Sequence, residues 1–123
     1  MMRSSTTRYA ATVVAPRLAR STLERFLGSS MSLPAVTTAL LLTSELITNS
    51  VVHASIPAGD SIRMDLSLDE QRLRVSVSDA GGAFDRDHVS AEGGWGLVLV
   101  DQLSDRWAIE AGSPNTVWFE LDR

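Results

Sequence analysis

Apolar and polar positions along the chain alternate with two periods, and together they predict the order β-α-α-β-β-(loop)-α-β-β. Residues 1–7 are polar and are expected to fray. Arg8–Val14 leans toward strand and stops at Pro16, a residue suited to the first turn of a helix. Leu18, Leu23, Phe26 and Leu27 then recur among charged neighbours, so Pro16–Leu27 reads as a helix with Gly28 as its cap. A loop over Ser29–Leu33 leads, through Ser32 and Pro34, into the most apolar stretch of the chain, Pro34–Ala54. Here Val36, Leu40, Thr43, Ile47 and Val51 are predicted to form one apolar face. Glu45 and Asn49, one turn apart, point the other way among Leu41, Leu42 and Val52.

After the turn cluster Ile56–Asp60 the period changes to two. Ile62, Met64, Leu66 and Leu68 alternate with polar residues. Leu73, Val75 and Val77 do the same beyond the polar turn Asp69-Glu70-Gln71. This predicts an antiparallel hairpin with one buried face. The second strand runs into Asp79-Ala80-Gly81-Gly82-Ala83-Phe84, and a polar segment follows. Gly93-Gly94-Trp95-Gly96 opens a short helix over Leu97–Leu103. Trp107–Ala111 and Thr116–Leu121 form a second hairpin around Gly112–Asn115. Strands that arrive in hairpins rather than βαβ units predict an α+β fold: a two-layer sandwich in which three helices cover one face of a mostly antiparallel sheet. The other face is more polar and is left for a partner.

Composition narrows the function. With 123 residues, the chain is expected to be one domain with one core. A net charge of −4 and the absence of any lysine-rich tract argue against direct nucleic-acid binding. No cysteine means no thiol nucleophile and no thiolate metal site. Glu45, Asn49 and several hydroxyl residues interrupt the longest apolar run, so no membrane span is expected, and no signal peptide is visible; a cytoplasmic protein is the expectation.

Three clusters carry candidate chemistry. An Asn amide oxygen can ligate a hard cation such as Mg²⁺, and a carboxylate one turn away can take a proton from a nucleophile, which singles out Asn49 and Glu45. Asp79 is acceptor-only when ionised and suits an exocyclic amine, with Gly81 and Gly82 letting backbone approach a ligand. Gly93-Gly94-Trp95-Gly96 before a helix offers free N–H groups to a phosphate. Taken singly, each has a plainer reading. Glu45 and Asn49 serve equally as solvent-facing helix residues, Asp79-Ala80-Gly81-Gly82 is more often a turn, and a Gly-Gly-x-Gly loop alone is weak support for a nucleotide. The isolated His53 and His88 do not make a zinc site. Trp95, Trp107 and Trp118 read as core or interface residues, and no Ser/His/Asp triad is discernible.

In this order the clusters resemble the boxes of the GHKL ATPase family, which includes gyrase-type ATPase domains, histidine-kinase catalytic domains and anti-sigma factor kinases. The N box resembles Glu45–Ala54, the G1 box Asp79–Phe84 and the G2 box Gly94–Leu97, and Asn115–Leu121 looks like the last strand of the family. The resemblance implies a Bergerat-type ATP-binding fold. It implies Glu45 as general base, Asn49 on Mg²⁺, Asp79 on the adenine amino group and Gly81 beside the adenine pocket. Gly94, Gly96 and Leu97 would line the phosphates, and Thr116 would sit near the adenine, sharing a water with Asp79. The small size looks most like the anti-sigma kinases, which implies ATP and Mg²⁺ as cofactors. The implied partners are a sigma factor and an anti-anti-sigma antagonist of the STAS type, with a homodimer as the implied assembly. The sequence departs from the pattern at Ala83, where a glycine is usual, and at Trp95 beside the phosphates. Arg86 is the one permanent cation between Phe84 and Gly93. Three functions stay open: a serine/threonine kinase and anti-sigma factor, a nucleotide-binding or nucleotide-free interaction module without catalysis, and a histidine-kinase-like catalytic domain acting in trans.

Overall fold

The computed structural model describes residues 2–53, 61–79, 97–110, 112 and 114–123. The chain runs β1 (Arg3–Ala10), α1 (Ala15–Leu27), α2 (Leu33–His53), β2 (Ser61–Leu68), β3 (Arg72–Asp79), α3 (residues 97–103), β4 (Arg106–Glu110) and β5 (Asn115–Asp122). One five-stranded sheet has the order β1-β2-β3-β5-β4, and every pairing is antiparallel. The fold is α+β, as the hairpin pattern requires.

The first strand corrects the expectation of a frayed start. Residues 3–10, not 8–14, are paired, from Arg3 opposite Leu68 to Ala10 opposite Ser61. Its inward positions Ser5, Thr7 and Tyr9 are mostly hydroxyl residues, so the alternation is invisible to a hydrophobicity count. Thr nonetheless packs well on a pleated surface. The Tyr9 hydroxyl donates to Thr22 Oγ1 at 2.7 Å and ties β1 to α1.

In α1, Pro16 occupies the first turn, and Ala15, Ala19, Leu23 and Leu27 form a fully buried stripe at four-residue spacing. Gly28 ends the helix at φ +52°, a left-handed region that side chains resist, with its N–H donating to Glu24 O at 3.0 Å. Ser32 caps α2, its Oγ accepting the Ala35 N–H at 3.4 Å. By length and composition Leu33–Val52 could span a bilayer; in this fold its apolar stripe goes into the core. That stripe is rotated from the expected one. Ala39, Leu42, Thr43, Leu46, Ile47 and Ser50 are buried, whereas Val36, Leu40 and Val51 only border the core. Leu42 and Leu46 therefore belong to the core, and Leu41 and Val52 are exposed.

The layer between helices and sheet is filled by Ile62, Met64 and Leu66 of β2, Leu73, Val75 and Val77 of β3, and Phe119 and Leu121 of β5. At the β2–β3 turn, Asp69 Oδ1 accepts the N–H groups of Gln71 at 2.7 Å and Arg72 at 2.8 Å. Those two bonds favour the ionised carboxylate and hold its pKa below the usual value.

The opposite face is polar. Trp118 lies there half-buried, with the Arg74 guanidinium 4.0 Å from its ring centre. Glu120 accepts from Arg106 at 2.7 Å and from Arg74 at 3.3 Å. Burial pushes the Glu120 carboxyl up, but these hydrogen bonds and charges outweigh it and leave the pKa below the usual 4.5.

Two outcomes follow from the packing. Phe119→Ala deletes a fully buried ring and is expected to cost about 3–5 kcal/mol, measured as a lower urea midpoint at unchanged m-value. Glu120 has a lower pKa folded than unfolded, so its contribution is complete above the unfolded value and is lost as pH falls through the folded one. Wild type should therefore lose stability more steeply than Glu120→Gln as pH drops below about 4.5, with thermal midpoints across pH 3–6 as the readout.

Candidate functional site

Two buried polar groups enter the layer between α2 and the sheet. Asn49, on α2, is 8% exposed, and the helix that carries it packs on β3 and β5. Asp79, the last residue of β3, is 5% exposed and shares the inward phase of Leu73, Val75 and Val77. Buried amides and carboxylates are costly unless they are paired, so each needs a partner in the protein or in a ligand. Glu45 lies one turn before Asn49 and is half-buried. Next to it, Ser44 accepts a 2.8 Å hydrogen bond from Arg20 Nη1, which joins α1 to the N-box turn of α2. Leu97 is 7% exposed at the described start of α3.

Strand register separates the remaining candidate from these. Thr116 pairs with Ser78 rather than Asp79, and the two hydroxyls lie 2.9 Å apart. By alternation Thr116 belongs with Trp118 and Glu120 on the open face. The residue beside Asp79 on the covered side of β5 is Asn115, which is 3% exposed; its Oδ1 accepts the Gly112 N–H at 3.0 Å. Gly112, at φ +152°, takes a conformation in which a side chain would be strained. Asn115 was legible in principle: Val117, Phe119 and Leu121 fix the inward phase of β5, and Asn115 continues it. Gly81, Gly94 and Gly96, with Ala83, Trp95 and Arg86, lie outside the described residues.

The donor set fits a nucleotide with its cation. An ionised Asp at a strand end is acceptor-only and matches an amino group. A single Asn oxygen suits Mg²⁺ that keeps its waters and substrate phosphates as its other ligands. Among the described residues, no group of three or more His, Cys, Asp or Glu side chains is placed to hold a metal ion.

The fold is thus a two-layer sandwich that carries Glu45 and Asn49 on α2 and Asp79 at the end of β3. Residues 8–121 match the family described as histidine kinase-like ATPase domain, and the chain belongs to that family. A comparison with curated proteins finds no match. Among solved structures, 33 chains match. One is the crystal structure of the RsbU and RsbW domains of Rv1364c from Mycobacterium tuberculosis, with a TM-score of 0.76 and 21% identity. The match covers 97% of this chain and 31% of that chain. At that identity the likeness shows the fold, and the chain spans under a third of that protein's solved length.

The hydroxyl pair yields a measurable coupling. A double-mutant cycle of Ser78→Ala and Thr116→Val, followed by chemical denaturation, should give an interaction energy of about 0.5–1.5 kcal/mol, the net value of one hydrogen bond.

Proposed function

We propose that this protein binds ATP with Mg²⁺ and acts as an anti-sigma regulator with serine/threonine kinase activity toward an anti-anti-sigma antagonist protein. The observation that carries the reading is the burial of two polar residues, Asn49 on α2 and Asp79 at the end of β3, with a half-buried Glu45 one turn before Asn49. The fold likeness to a chain containing an RsbW domain supports the regulatory class.

In this reading Asp79 accepts the adenine amino group and Asn49 holds the cation. Mg²⁺, when bound, neutralises charge on the phosphates. Leu97, with Gly94 and Gly96, borders the phosphate side, and Gly81 borders the adenine. Glu45 accepts the proton of the antagonist's serine or threonine hydroxyl as its oxygen attacks the terminal phosphorus and the bond to ADP breaks. The half-burial of Glu45 suits this role, since the carboxylate stays reachable by a protein substrate. The partners are a sigma factor and a STAS-type antagonist, the assembly is a homodimer, and the location is cytoplasmic.

A second reading keeps nucleotide binding without catalysis. Arg86 is the one permanent cation between Phe84 and Gly93, and phosphoryl transfer rests on electrostatic stabilisation of charge. Here ATP selects a conformation that a partner recognises.

Glu45→Ala separates the two. In radiolabel transfer to an antagonist protein, the kinase reading expects the variant to lose about 10²-fold or more of the rate while ATP affinity stays within a few-fold. Equal transfer by both proteins would remove Glu45 from the mechanism, and no transfer by wild type would favour the switch.

A further inference from the structure

The face of the sheet turned away from the helices holds a charge arrangement that the nucleotide reading does not use. The chain has eleven basic residues, all arginine. Strand register places five of them, Arg8, Arg63, Arg72, Arg74 and Arg106, on this face. Three are satisfied there, since Arg72, Arg74 and Arg106 converge on Glu120. The other two are not. Arg63 gives Nε to Asp65 at 2.8 Å, and its terminal nitrogens meet no acceptor among the described residues. Arg8 is exposed and makes no ion pair or hydrogen bond among them.

These two arginines are direct cross-strand partners. Like charges directly opposite on neighbouring strands destabilise a sheet, so the arrangement carries a cost that an anion would remove. A cleft of about 170 Å³ lies at this point, lined by Arg8, Ser61, Arg63, Ser78, Asp79 and Pro114. It is smaller than the roughly 300–1,000 Å³ of pockets that enclose drug-sized ligands. That size suits a phosphate rather than a nucleotide. Guanidinium forks match tetrahedral oxyanions in geometry as well as charge. Asp79 also lines the cleft, but its phase in β3, shared with Val75 and Val77, directs it toward the covered layer. Asp65 offsets one guanidinium charge through its pair with Arg63, and the Arg8 guanidinium has no ion-pair partner among the described residues.

We propose that this cleft binds a phosphate-sized dianion between the guanidinium groups of Arg8 and Arg63, with the Ser61 and Ser78 hydroxyls as further donors. Free inorganic phosphate and a phosphorylated protein side chain share this chemistry. The site lies behind the candidate nucleotide layer on the opposite face of the sheet, and it stands whether or not ATP binds.

The test is ¹⁵N NMR of the full chain, reading backbone amides and arginine Nε signals. Inorganic phosphate and a phosphoserine peptide are titrated separately, against chloride at equal ionic strength and against the unphosphorylated peptide. The expected result is saturable shifts centred on Arg8, Arg63 and Ser78, weakened about tenfold or more in Arg8→Gln. Without ligand, Arg8→Gln should melt at or above the wild-type temperature, because the like-charge contact is relieved. Tighter binding of the phosphopeptide supports the site with a phosphorylated partner as the source, and equal or tighter binding of inorganic phosphate supports it with the free ion. Arg63→Gln serves as the second variant if Arg8→Gln does not fold. The proposal is overturned if neither probe shifts these residues, or if the variant binds as wild type does. Shifts confined to Glu45, Asn49 and Leu97 would also overturn it, by placing the phosphate in the nucleotide layer.

Discussion

Leu42, Leu46 and Ile47 are buried between α1 and the sheet, and the helix that carries them cannot turn without exposing them. A rotation by one residue is about 100° in an α-helix and would bring Leu41 or Glu45 into the core in their place. Core packing therefore fixes the azimuth of α2, and with it the direction of Asn49 and Glu45. The core contribution of a Leu or Ile side chain, about 1.5–3 kcal/mol on full burial, is thus also what orients the polar site. Asn49 lies just inside the buried stripe and Glu45 at its margin.

The sheet applies the same constraint with period two. Register assigns Asp79 and Asn115 to the covered layer and Ser78 and Thr116 to the open face. A shift of one residue would exchange the two sets. The inward rows Leu73–Val77 and Val117–Leu121 hold that register, so the hydrophobic alternation selects the chemistry available on each side. The open face is organised around Glu120, a carboxylate shared by three arginines, with Arg74 laid over Trp118. In an acidic chain this concentrates positive charge where the apolar core does not reach.

Much of this was legible beforehand because it follows from periodicity. The hairpin β2–β3, the cap at Gly28, the start of α2 at Ser32 and the helical residues 97–103 lie where the pattern predicts them. The first strand was not legible, because Ser5 and Thr7 carry no hydrophobic signal and only their pairing with Leu66 and Met64 reveals their phase. The stripe on α2 was misplaced because the helix is apolar nearly all round, so its sequence has no sharp preferred azimuth. Thr116 was assigned by likeness to a motif, whereas its neighbours Val117 and Phe119 already indicated the opposite face. Glu45 and Asn49 drew notice as polar residues one turn apart on the most apolar helix of the chain, and Asp79 as an acidic residue where a strand runs into Ala80-Gly81-Gly82.

The central claim is that Asp79, held at the end of β3 by the core, completes a nucleotide site with Asn49. The measurement that tests it most directly is calorimetric titration of wild type and Asp79→Asn with ATP, with and without Mg²⁺. The account predicts saturable binding by wild type that strengthens with Mg²⁺ and falls about tenfold or more in a folded Asp79→Asn, the loss of a charged hydrogen bond. Absence of binding by folded wild type, or equal binding by the variant, would contradict it.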